Sequence, residues 1–226
     1  MFRHRNDHDA ARAALMREIA RDAVATAGYT GRAVFSARVM AAMAKVERHL
    51  FVAPAQEELA YVNGPLPIGH GQTISQPYIV ALMTELIEPE PGDVVLEIGT
   101  GSGYQAAVLA ELVSRVHSIE VVPALAREAA ARLARLGYDN VEVKAGDGAL
   151  GWPDRAPFDA ILVTAAAPTV PPALIEQLKP GGRLVVPVGR QHEAQTLTVI
   201  DKDHDGRISE RAILPVAFVP LTGERG

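Results

Sequence analysis

The chain has no cysteine. That excludes disulfides, thiol nucleophiles and thiolate metal centres, and it suits a reducing compartment. No apolar run approaches the roughly 20 residues needed to span a bilayer. The nearest candidate, residues 160–175, is broken by Pro168, Pro171 and Pro172. The N-terminus carries basic residues but no apolar core behind them, and Asp7 and Asp9 lie among them, so no signal or transit peptide is expected. The seven histidines show no metal-ligand spacing. These gaps together predict a cytoplasmic protein with neither a metal nor a membrane partner.

Charge is also scarce where nucleic acid would need it. Residues 1–50 carry nine Lys and Arg against five Asp and Glu, yet the 226-residue chain has a net charge of −5. The arginines are spread among acids rather than clustered with aromatic platforms, so no nucleic-acid partner is expected and the basic segment reads as a solvated helical arm. No repeat or low-complexity linker divides the sequence. Residues 1–226 therefore read as one domain: a helical arm over 1–62, a loop over 63–77 and a nucleotide-binding core over 78–226. The arm should contain helices over 8–27 and 34–48, separated by Gly28-Tyr29-Thr30-Gly31.

The core opens on its most informative segment, Val94-Val95-Leu96-Glu97-Ile98-Gly99-Thr100-Gly101-Ser102-Gly103. A parallel strand buried on both faces is a continuous apolar run. Glycines at 99, 101 and 103 let the backbone turn tightly and approach a ligand without side chains in the way. Helical pattern resumes at Tyr104. The spacing is Gly-x-Gly-x-Gly, not the Gly-x-Gly-x-x-Gly that seats a pyrophosphate on a helix N-terminus. Glu97 would place a carboxylate beside the loop, which suits a cation rather than a phosphate. S-adenosylmethionine carries a sulfonium, an ammonium and no phosphate.

Downstream residues repeat the pattern. Arg115–Glu120 reads as a second strand ending in an acid 17 residues beyond Gly103, where a carboxylate typically bonds ribose hydroxyls. Val141–Lys144 is a third strand leading into Gly146-Asp147-Gly148, where an adenine edge could bond. Phe158–Val163 is a fourth and Arg183–Gly189 a fifth, after the breaker Lys179-Pro180-Gly181-Gly182. Helical pattern between strands implies right-handed crossovers and an α/β, doubly wound, mostly parallel sheet. Gly99, Glu120 and Asp147 then fall at the carboxyl ends of strands, where such sheets bind ligands.

Asn63–Pro77 is rich in Gly and Pro, and Pro77 suits the first turn of a helix over Tyr78–Ile87, with Ser75 or Gln76 at its cap. Its polar Gln72-Thr73-Ile74-Ser75 run offers hydroxyls and free N–H groups to a carboxylate. Here the sequence resembles the protein-L-isoaspartate O-methyltransferase family. The resemblance lies in Pro67–Tyr78, Leu96–Gln105, Gly146–Gly148, Ala156–Ile161 with Thr164–Ala166, Leu178–Gly182 and Phe218–Thr222. Val46–Val52 is similar to the family's Val-Pro-Arg-x-x-Phe-Val, with Glu47 in place of proline. The resemblance implies a Rossmann-like, class I methyltransferase fold. It also implies a repair enzyme that methylates the α-carboxylate of L-isoaspartyl residues in damaged proteins, the ester then collapsing to a succinimide; a monomer is expected. It makes Ser75 the active-site residue and puts Thr73, Ile74, Glu120, Asp147, Gly148 and Thr222 around S-adenosylmethionine; the reading of the glycine loop adds Glu97, Gly99, Gly101 and Gly103, and no metal is expected.

Asp201–Ile208 matches the first eight positions of an EF-hand loop, but position 12 is Ala212, where a bidentate glutamate is required. Strand-like flanks, Gln195–Ile200 and Ile208–Leu214, point instead to an antiparallel hairpin with a glycine-containing turn. His70 reads as a solvated loop residue. Three other readings stay open on the residues: a methyltransferase acting on unmodified aspartate or another carboxylate, a nicotinamide-dependent oxidoreductase, and a module that senses the cofactor without turnover.

Overall fold

A computed structural model describes residues 2–190 and 193–223, with side chains from residue 8 onward. The first helix, α1 (Phe2–Thr30), runs through Gly28 and stops only where Gly31 takes φ +68°. Gly28 costs a helix about 1 kcal/mol, but Leu15, Ile19 and Ala23 recur at four-residue spacing and bury one stripe of α1. The second helix, α2 (Ala37–Lys45), is shorter than its sequence pattern. The Ser36 hydroxyl caps it by accepting from Val39 N at 3.3 Å, and Arg48–Phe51 turns off it as a 3-10 segment.

The 63–77 loop contains a small antiparallel hairpin that the sequence pattern hid, β1 (Leu66–Gly69) and β2 (Gln72–Ile74). Gly69, His70 and Gly71 at its tip all have positive φ. Pro77 then opens α3 (Pro77–Leu86). After it come β3 (Val94–Ile98), α4 (Tyr104–Ala110), β4 (Arg115–Glu120), α5 (Pro123–Arg135), β5 (Val141–Ala145), β6 (Phe158–Val163), α6 (Pro172–Glu176), β7 (Leu178–Val188), β8 (Gln195–Lys202) and β9 (Ile208–Val216). β7 begins earlier than expected, since Lys179–Gly182 continues the strand across an irregularity in its pairing with β6. A Cβ at Gly182 would lie 2.7 Å from the carbonyl oxygen of Asp159, so only glycine fits there.

The sheet order is β5-β4-β3-β6-β7-β8-β9, parallel from β5 to β7 and antiparallel beyond. Alternate strand residues serve two cores. Val95, Val116, Leu162 and Val185 meet apolar residues from α1–α4, while Leu96, Ile98, Ile161 and Leu184 meet Trp152, Phe158 and Leu174. Chain order reverses between β3 and β6. That switch point leaves a crevice at the carboxyl ends of both strands. The Asp203–Arg207 turn joins β8 to β9 as an ordinary hairpin, with the Asp203 carboxylate accepting from the N–H groups of Asp205 and Arg207.

Candidate active site

A concave cleft lies in the crevice at the switch point. Gly99, Gly101, Gly148, Glu120, Thr73, Ile74, Ser75 and Thr222 all line it. Glu97, Gly103 and Asp147 were expected here but do not line it. Gly99 donates its N–H to Ile119 O at 2.8 Å and has φ +96°. The Thr164 hydroxyl donates to the Gly99 carbonyl at 2.7 Å, so a Cβ at Gly99 would collide with that hydroxyl. Gly99→Ala should therefore cost about 1–3 kcal/mol from strained backbone alone. An unchanged urea midpoint would contradict that.

Gly103 sits behind the loop at φ +86°, where a Cβ would come within 3.2 Å of Leu133 on α5. Its role is close packing of the loop on that helix. Asp147 starts the turn after β5 by accepting from Ala149 N at 2.9 Å. Its carboxylate lies against Gly223 of the C-terminal tail, so close that any Cβ there would strike it.

Glu97 shares the sheet face of Val95, not the strand end, and is fully buried. The Ser118 hydroxyl donates to its carboxylate and in turn pairs with the Thr100 hydroxyl at 2.5 Å. Burial pushes the Glu97 carboxyl up to about 8, the Ser118 bond opposing and the charge of Glu120 adding to the rise. The folded chain thus keeps a proton that the unfolded chain releases above its ordinary value of 4.5. Stability must fall as pH rises through the interval between them, by up to about 1.4 kcal/mol per pH unit. Glu97→Gln removes this titration. Its melting temperature should change less than wild type between pH 5 and 8, and equal slopes would exclude the shift.

Glu120 is held in place while keeping spare acceptor capacity. One oxygen accepts from Gly101 N at 2.8 Å and the other from Val122 N at 2.9 Å, and each retains a second lone pair. It is the only charged side chain lining the cleft among the described residues, and no Lys, Arg or His joins it. A pyrophosphate would find no cation there. A sulfonium nucleoside fits the charge and the free acceptors.

A second cleft adjoins the first and shares Thr73, Ser75, Thr164 and Val219 with it. Its walls are the 73–79 segment and residues 214–219, largely apolar. The tail is fixed there by a parallel bridge, with Ala166 N donating to Val219 O at 2.8 Å and Leu221 N to Ala166 O at 2.7 Å. Buried Gln195 grips Phe218 through both its N–H and its carbonyl, at 2.6 and 3.1 Å.

Residues 20–226 match the model of the family described as protein-L-isoaspartate(D-aspartate) O-methyltransferase. The chain belongs to this family. It is 58% identical over 216 residues to protein-L-isoaspartate O-methyltransferase 2 of Syntrophobacter fumaroxidans, covering 96% of this chain and 87% of that one. A solved protein-L-isoaspartate O-methyltransferase superposes with TM-score 0.81 at 29% identity, over 95% of this chain and 67% of that one. A crystal structure from Plasmodium falciparum assigned to the same enzyme type, in complex with S-adenosyl-L-homocysteine, shares the fold. Its TM-score is 0.75 at 24% identity, over 95% of this chain and 98% of that one.

Several residues of this methyltransferase site escaped sequence reasoning. Thr164 ties the ends of β3 and β6 together by bonding the carbonyls of Ile98 and Gly99, and it lines both clefts. Its position right after the fourth strand was a usable signal. Tyr104 and Gln105 line the first cleft from the start of α4, although a helix-opening Tyr-Gln carries no local mark of a ligand. Gln195, far along the chain, could be found only through the fold. Among the described residues no helix is long and apolar enough to cross a membrane, and no cluster of His, Asp and Glu could hold a metal.

Proposed function

We propose that this chain transfers a methyl group from S-adenosylmethionine to the α-carboxylate of L-isoaspartyl residues in damaged proteins and peptides. The observation that carries this reading is the position of Ser75, at the junction of a cleft suited to a cationic nucleoside and a groove open to a peptide. Glu120 would hold the ribose hydroxyls, the Gly99–Gly103 loop would let the backbone approach the donor, and Asp147 and Gly148 would flank the base. Thr73, Ile74 and Thr222 would close over it, while Glu97 would act from beneath by holding Ser118 and Thr100. When bound, S-adenosylmethionine supplies a methyl carbon made electrophilic by its sulfonium, which departs as a neutral thioether.

No strong base is needed, because a carboxylate with a pKa of about 4 is already an anion at neutral pH. The work left to the protein is alignment and exclusion of water, and orientation can supply up to about 7–11 kcal/mol in favourable cases. The Ser75 hydroxyl would donate to the carboxylate and hold it, with Thr73 beside it. Among the described residues that hydroxyl has no intramolecular partner. Both clefts are built by one chain, which suits a monomer of a single domain, and a cysteine-free chain suits the cytoplasm; neither nucleic acid nor membrane is part of this reading. Label transferred from methyl-labelled S-adenosylmethionine to an isoaspartyl peptide should be released by mild alkali, with a succinimide as the peptide product. Alkali-stable label would mean methylation of nitrogen or another atom and would overturn the reading.

A further inference from the structure

Arg48 is completely buried, an unusual place for an arginine. Among the described residues no carboxylate lies within ion-pair distance of it. Its guanidinium donates instead to three backbone carbonyls, those of Ala60, Gly64 at 2.9 Å and Ser75 at 3.2 Å. The carbonyls come from the two sides of the β1–β2 hairpin, so one side chain clips the chain entering the hairpin to the chain leaving it. Burial lowers its pKa to about 10, which still leaves it charged at neutral pH. A buried cation without a counter-ion costs several kcal/mol. A neutral side chain would avoid that cost, so the fork of donors and its charge call for another reason.

The Ser75–Gln76 peptide supplies one. It is trans, and a planar trans peptide points its C=O and N–H in opposite directions. With the Ser75 carbonyl turned inward to Arg48, the Gln76 N–H turns the other way, while Ser75 and Gln76 both line the peptide groove. Among the described residues neither the Ser75 nor the Gln76 N–H has an intramolecular acceptor, although Gln76 stands at the N-terminus of α3 with its own carbonyl accepting from Val80 N at 3.0 Å.

We infer that the Gln76 N–H is a second donor to the substrate carboxylate, beside the Ser75 hydroxyl, and that Arg48 is the positioning residue that aims it. The inference rests on the carboxylate-methylation reading above. Two donors on adjacent residues can fix both oxygens of a carboxylate, where one hydroxyl alone leaves it free to rotate. Turning the carbonyl away also removes the oxygen that would repel an anion. The buried charge of Arg48 lies behind the same peptide unit and favours a negative ligand in front of it.

Gln76 has φ −54° and ψ 130°, values that proline adopts without strain. Gln76→Pro therefore deletes the N–H while keeping the backbone, and Gln76→Ala serves as reference for the lost side chain. Gln76→Pro should fall at least about tenfold below Gln76→Ala in kcat/KM for an isoaspartyl peptide, with equal melting temperatures and S-adenosylmethionine affinities. Arg48→Lys keeps the charge but replaces the planar two-nitrogen fork by a single ammonium, and should lose a similar factor mainly through KM for the peptide. In nitrogen-labelled protein saturated with S-adenosyl-L-homocysteine, peptide binding should move the Gln76 amide proton downfield in wild type and less in Arg48→Lys. Equal kcat/KM for the two Gln76 variants, or a Gln76 amide that does not move when peptide binds, overturns the inference alone. A wild-type protein that neither binds nor methylates the peptide overturns the underlying reading and this one with it.

Discussion

Replacing Glu120 by alanine should weaken S-adenosylmethionine binding by about 100-fold or more, measured by calorimetric titration. Hydrogen bonds to a charged group are worth about 1.5–3 kcal/mol each, and every 1.4 kcal/mol is tenfold in affinity. Glu120 offers one free lone pair on each oxygen, so two such bonds to ribose hydroxyls are within its reach. Its loss also frees the Gly101 and Val122 N–H groups that it now accepts from, loosening the glycine loop that the donor must lie against. Glu120→Gln keeps the shape and one acceptor, and should lose about tenfold. A titration in which Glu120→Ala binds the donor like wild type would show that the ribose lies elsewhere.

Ser75→Ala should lower kcat/KM for an isoaspartyl peptide by about 10- to 100-fold while leaving donor affinity within about threefold of wild type. The same range of 1.5–3 kcal/mol for a bond to a charged partner sets the magnitude. The effect separates cleanly from folding, since among the described residues only the Ser75 carbonyl, which alanine retains, is engaged within the chain. A Ser75→Ala rate equal to wild type would remove the serine from the reaction. A large loss of donor affinity with no further loss of turnover would assign it to the donor cleft instead.

Much of the core was legible because its physics is local. Residues 94–98 and 158–163 are mostly apolar runs and 115–120 is a strand pattern closed by an acid, and each folds as the parallel strand expected of it. Other features depend on what the chain meets elsewhere. Gly28 reads as a stop, but the buried stripe of Leu15, Ile19 and Ala23 carries α1 past it. Lys179–Gly182 reads as a breaker, yet the close approach of Gly182 to Asp159 makes it part of β7. The β1–β2 hairpin is hidden by its glycines and prolines, and its tip even sets a histidine, His70, at φ +52°.

The site divides in the same way. Gly99, Gly101 and Glu120 stand at strand ends, so their sequence positions place them in the cleft. Glu97 was expected beside them on sequence proximity, but strand alternation turns it onto the sheet face with Val95, under the helices. That alternation was already readable. Arg48 was visible only as the arginine of the Val46–Val52 motif; its role was not, since only tertiary structure brings the carbonyls of residues 60, 64 and 75 around it.

The most direct measurement is methyl uptake by two synthetic peptides identical except that one contains L-isoaspartate and the other normal aspartate at a single site. Both present carboxylates to the same donor. The groove beside Ser75 should accept the isoaspartyl peptide with kcat/KM at least about 100-fold above its twin, and label should track isoaspartate consumed. Equal methylation of the two peptides, or transfer to neither, would contradict the account.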